Sequence, residues 1–191
     1  MRRPLPPVLL LAALALMSSS CSAPSPEKGN PEPQKTIGVT LLTRGHLFYR
    51  DLEQGMQSEA VKSGYKLVVT SAEFDLGKQA AQIEDFVARK VDAIVVCPVD
   101  SRGVGPAIRQ ANAAGIPVFT ADIAAQEGEV ACHVASDNVA GGRLAGEYLA
   151  KALGGAGTVA IVGQPAITSV LDRVAGFKEA IARFPGMKIV A

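Results

Sequence analysis

KVDAIVVCPVDSRGVGPAIRQANAAGIPVFTAD, residues 90–122, decides the fold class. It holds two apolar, β-branched runs, Ala93 to Cys97 and Pro117 to Thr120, separated by a longer segment that Gly115 closes as a helix stop. Two such runs bounding a helix make a βαβ unit, because parallel strands need a long crossover between them. Both runs are almost continuously apolar, as strands covered on both faces are.

The same alternation extends in both directions. Strands are expected at Ile37 to Leu41, Lys66 to Thr70, Cys132 to Ala135, Thr158 to Val162 and Lys188 to Val190. Between them, Leu76, Ala80, Ile83, Phe86 and Val87 recur at helical spacing, and so do Val170, Val174, Phe177 and Ile181. Lys78, Glu84, Asp85 and Lys178 take the opposite faces. Gly64 stops the first helix, and Ser169 with Asp172 three residues on reads as a capping arrangement for the last one. The fold class is therefore α/β with a doubly wound parallel sheet. Five strands between Ile37 and Ala135 complete one such domain. The two that follow are too few for an independent lobe, so they either extend the first sheet or begin a second lobe of a longer protein.

The first residues are set aside from this reading. Arg2 and Arg3 followed by the apolar run Val8 to Met17 form a secretory signal over residues 1–20. The run is shorter than the ~20 residues a bilayer span requires. It ends in LMSSSC, which resembles a bacterial lipobox with Cys21 as the lipidated residue. Ser22 to Lys35 is proline-rich with almost nothing to bury, so residues 21–35 are expected to tether the folded part to a membrane through a lipid anchor. Of 19 basic residues, loss of Arg2 and Arg3 leaves 17 against 18 acidic ones. Nothing in that balance suggests nucleic acid, whose phosphates demand a basic face. Cys97 and Cys132 both fall in strands and are expected to be free, buried thiols. With no CxxC pair or spaced histidines, no metal site is expected.

Catalytic motifs fail on context. GGAG at residues 154–157 precedes a strand where a dinucleotide fingerprint would follow one, and GVGPAI from Gly103 lacks the third glycine. There is no phosphate loop, no GxSxG elbow, no HExxH, and His46 and His133 have no triad arrangement. The chain is expected to be no enzyme and to need no cofactor.

What remains is a set of polar and aromatic residues at strand ends, where open parallel sheets bind ligands. The first strand leads to Arg44, His46, Phe48 and Tyr49; the third to Asp100 and Arg102; the fourth to Asp122. After the sixth, GQPAITSVLDR brings Arg173 into the opening turns of a helix. The set suits a sugar, whose C–H faces stack on aromatic rings while its hydroxyls pair with carboxylates and guanidinium groups. Each residue also has a plainer role. Phe48 or Tyr49 can cover a helix start, Asp100 can cap a turn, and Arg44 and Arg102 can be solvated.

At these residues the chain resembles a known family. TIGVTLLTRGHLFYRDLEQGMQSEAVKSGYKLVV, the opening stretch, EVACHVASDNVAGGRLAGEYLAK and SVLDRVAGFKEAIARFPGMKIVA together look like the ribose-type sugar-binding proteins of bacterial ABC importers, the type I periplasmic binding proteins. The resemblance runs from about Thr36 to Ala191. It implies a complete first lobe over residues 36–135, then a hinge crossing and the start of a second lobe over residues 136–191. It further implies closure of two lobes on a monosaccharide, and docking on a membrane permease driven by an ATPase. The residues matching the family's ligand contacts are His46, Phe48, Tyr49, Asp122 and Arg173, with Asp137 at the hinge crossing. Ile123 stands where the family usually has an arginine, and His46 replaces an amide-type residue. The same frame admits a sensory role toward a chemoreceptor or sensor kinase, or another small polar ligand such as a nucleoside.

Overall fold

A computed structural model describes residues 33–190. The signal segment, Cys21 and the tether as far as Glu32 lie outside the described residues. In chain order the elements are β1 (Thr36–Leu41), α1 (Leu47–Lys62), β2 (Lys66–Ser71), α2 (Leu76–Ala88), β3 (Ala93–Val96), α3 (Gly105–Ala113), β4 (Val118–Ala121), β5 (Cys132–Val134), α4 (Asn138–Ala152), β6 (Ala156–Val159), α5 (Thr168–Ile181) and β7 (Gly186–Ile189). The first five strands form one sheet in the order β2-β1-β3-β4-β5, and β6 and β7 form a second. Every pairing is parallel. The last two strands thus open a separate sheet and do not extend the first.

The five-stranded sheet is doubly wound because its strands are apolar on both faces. On one face Ile83 and Phe86 of α2 and Ile108 of α3 pack against Ile94, Val96 and Val118. On the other, Tyr49 of α1 joins Val39, Leu41, Cys97 and Ile123. Phe86 is fully buried, a burial worth about 3 kcal/mol. It lies so close to β1 that a Cβ on Gly38 would sit 2.6 Å from its ring. The buried Gln79 of α2 is satisfied by bonding the chain beyond β3: its Nε2 donates to the Cys97 carbonyl at 3.0 Å, and its Oε1 accepts from the Val99 N–H at 2.9 Å.

Beside the second sheet, α4 and α5 approach backbone to backbone. A Cβ on Gly142 would lie 1.9 Å from the Arg173 carbonyl oxygen, and one on Gly176 would lie 1.9 Å from that of Val139. Small residues at both positions let the helices meet this closely, and Ala150, Val159, Ile181 and Met187 form a small core next to the contact.

Three expectations need correction. Cys132 is free but exposed. It lies on β5, the edge strand of the five-stranded sheet, whose three residues are all exposed. The sixth and seventh strands begin two residues earlier than expected, at Ala156 and Gly186, because the pairing of Ala156 with Gly186 sets their register. No capping box forms at Ser169. The helix starts at Thr168, so Ser169 lies inside its first turn and the capping position falls to Ile167, whose side chain has no acceptor to offer.

Candidate functional site

The strand order reverses between β1 and β3, so their carboxyl ends border the natural crevice of such a sheet. A cavity of about 380 Å³ opens there. Its lining includes His46, Phe48, Tyr49, Asp122 and Arg173, five residues that the sequence spreads over more than 120 positions.

Tyr49 and Asp122 form its centre. The Tyr49 hydroxyl donates to Asp122 Oδ2 at 2.7 Å. Burial and this bond to a carboxylate push the phenol well above its ordinary range, so it stays protonated as a donor. Asp122 leaves β4 through a tight reversal: its φ is +66°, and the Ile123 N–H donates to the Ala121 carbonyl at 2.8 Å. This γ-turn reverses the chain at one residue. A left-handed, non-glycine residue costs about 1 kcal/mol or more and is held only by its surroundings. Here the turn aims the carboxylate across the sheet end toward α1.

The aromatic pair divides its roles. Phe48 and Tyr49 meet edge to face with centroids 5.1 Å apart. Tyr49 is buried, whereas Phe48 is 45% exposed and lines the cavity. His46 caps α1, its Nδ1 accepting from the Phe48 N–H at 3.1 Å, which leaves Nε2 directed outward. Across the cleft, Arg173 Nε donates to Asn138 Oδ1 at 2.8 Å, so its orientation is set while its terminal nitrogens stay available.

Arg44 and Asp100 lie outside this cavity. Arg44 forks onto Glu53, with Nε and Nη2 at 2.7 and 2.6 Å from its carboxylate oxygens. Asp100 accepts from the Arg102 and Gly103 N–H groups as a turn residue. Asp137 caps α4 by accepting from the Ala140 N–H at 2.9 Å. It lines a neighbouring cavity, also of about 380 Å³, that shares Asp122 and Ser169 with the first.

Four positions escape a reading of the sequence. Phe74, after β2, lines the cavity at 64% exposure and a φ of +64°. An aromatic between two acids in a loop was its only signal. Glu73 accepts from the Thr43 hydroxyl at 2.6 Å, from the Arg44 N–H at 3.1 Å and from the Ser71 hydroxyl. These bonds hold its carboxyl at a pKa of about 2 and brace the loop leading into α1 and Phe48 against the loop carrying Phe74. Asn138 orients Arg173. Thr168 joins the first sheet to α5: its hydroxyl accepts from the Ala124 N–H at 3.0 Å, and its own N–H donates to Ser101 Oγ at 3.1 Å.

Residues 37–191 match the periplasmic binding protein domain family. The ribose import binding protein of Escherichia coli (strain K12) is 37% identical over 170 residues, covering 88% of this chain and 57% of that protein. The crystal structure of a galactofuranose binding protein superposes with a TM-score of 0.76 at 30% identity, over 82% of this chain and 54% of the other. The fructose binding periplasmic domain of a hybrid two component system superposes with a TM-score of 0.77 at 27% identity, over 82% and 53%. The chain spans a little over half the length of each.

Proposed function

From the premise that this chain belongs to the periplasmic binding protein domain family, we propose that it binds a monosaccharide outside the cytoplasm and delivers it to an ABC import permease with its ATPase. The observation that carries this reading is the cavity lined by an exposed aromatic ring, a carboxylate held by a tyrosine and a guanidinium oriented by an asparagine. Phe48 stacks on the C–H face of the ring. Asp122 accepts from ring hydroxyls through Oδ1, His46 bonds a hydroxyl through Nε2, and the terminal nitrogens of Arg173 donate from the opposite side.

None of these groups forms a nucleophile and base pair, so the reading is binding without turnover. Ligand gripped by residues of both sheets shifts the protein toward its closed form by the difference in affinity between states. The Thr168 bonds to Ser101 and Ala124 lie where that closure is sealed. The permease then recognises the closed form. Ligand sensing is the second reading, favoured by the likeness to a periplasmic domain of a two component system.

A calorimetric and thermal-shift screen of pentoses and hexoses tests the assignment. A ligand at a hundredfold excess over Kd stabilises by about 2.7 kcal/mol. Phe48→Ala and Arg173→Ala each remove most of that shift, and unchanged shifts in both would relocate the site. Membrane anchorage through Cys21 is part of the same reading. Labelling with a fatty acid probe in cells should mark the protein and should be lost in Cys21→Ala.

A further inference from the structure

Resting on the sugar-binding reading above, we infer that Phe74 is a second aromatic contact for the bound sugar, a ring kept at the cavity for the ligand and not for the fold. The backbone that carries it leads to this. After β2, residues Ala72–Asp75 form a four-residue turn in which the Asp75 N–H donates to the Ala72 carbonyl at 3.1 Å. Both central residues have positive φ, 54° at Glu73 and 64° at Phe74. Such a mirror-image turn is normally built from glycine, asparagine or aspartate, because other side chains are strained there. Strain of this kind persists only where the surroundings hold it, and it gathers at ligand sites.

Glu73 has a structural reason for its place, since its carboxylate ties the turn to Thr43, Arg44 and Ser71. Phe74 is held through its backbone, whose N–H donates to the Leu42 carbonyl at 3.1 Å. Glycine or asparagine would make the same bond with less strain. The ring itself is 64% exposed, the most exposed apolar side chain lining the cavity. It therefore adds little to folding, which gains only from apolar area removed from water. That area is covered when a ligand lies on it. The Glu73 brace sets this loop beside the one leading to Phe48, which is 45% exposed on the same cavity. A sugar has C–H faces for such rings, while Asp122, Gln164, Ser169 and Arg173 of the same lining offer partners for its hydroxyls.

The test is calorimetric titration of the purified protein with D-ribose, D-allose, D-fructose, D-galactose and L-arabinose, paired with scanning calorimetry of the ligand-free protein. For each sugar the parent binds, Phe74→Asn is expected to weaken Kd about 3- to 10-fold, the range of one aromatic contact. Phe74→Tyr, which keeps the ring, should retain the parent's affinity. Ligand-free Phe74→Asn should melt no lower than the parent, because asparagine suits the left-handed backbone better. Weaker binding without lost stability is a combination that a residue serving only the fold does not give. An unchanged Kd in Phe74→Asn overturns the inference while sugar binding stands. Equal weakening in Phe74→Tyr also overturns it, by tracing the loss to the turn and not to the ring. If none of these sugars binds the parent, the sugar-binding reading falls and this inference with it.

Discussion

Replacing Tyr49 by phenylalanine deletes one oxygen and leaves the ring in its packing against Val39, Leu41 and Ile123. What is lost is the 2.7 Å bond to Asp122 Oδ2. A hydrogen bond to a charged acceptor contributes about 1.5–3 kcal/mol. Asp122 is only half-buried, so water replaces part of the missing donor and a loss of about 1–1.5 kcal/mol is expected. At roughly 2–4 °C per kcal/mol for a chain of this size, Tm falls by about 2–6 °C. Scanning calorimetry of the parent and Tyr49→Phe measures this directly. Asp122→Asn is the second perturbation, since asparagine tolerates the left-handed backbone and still accepts the bond as a neutral group. In that background the Tyr49→Phe loss should shrink to about half, because neutral pairs contribute roughly 0.5–1.5 kcal/mol. An unchanged Tm for Tyr49→Phe in both backgrounds would show that the pair holds nothing in place, and the account of Asp122 as an aimed carboxylate would fail.

Gly142→Ala should destabilise by about 1–3 kcal/mol or more, because its Cβ would meet the Arg173 carbonyl oxygen at 1.9 Å. Gly55→Ala in α1, where nothing lies within 4 Å of the added carbon, should instead stabilise by about 0.5–1 kcal/mol; urea unfolding distinguishes the two. The Glu73 carboxyl is held at about 2 by its three donors, and a lowered folded pKa means that the folded state favours the anion. Its contribution is therefore complete above the ordinary carboxylate range and disappears as pH falls toward about 2. The stability gap between the parent and Glu73→Gln should be constant near neutrality and close at acid pH; a gap that widens on acidification would contradict the bracing role.

The parallel α/β fold was readable because its evidence is local and periodic. The runs Ala93–Val96 and Val118–Ala121 are apolar enough to be strands in only one kind of sheet, and Ile83 and Phe86 recur at the spacing of a helix face. The aromatic pair and Asp122 stood out for a similar reason, since each is a chemically unusual residue at the end of an apolar run. Strand limits in the second sheet were less legible, because β6 and β7 each gain definition from the other's backbone.

By itself, then, the sequence determined which segments form strands of a parallel α/β fold, which helix faces turn inward, and that polar and aromatic groups gather at the carboxyl ends of the strands. Tertiary structure alone decided which of those groups share a cavity. Arg44 was drawn away by Glu53, and Asp100 was consumed by its own turn, whereas Phe74 entered from a loop braced by Glu73. The reason is physical. Periodicity records burial one element at a time, but a side chain's direction depends on individual partners that periodicity does not encode: here a carboxylate one helix turn and a loop away, the N–H groups of a turn, and a hydroxyl thirty residues off.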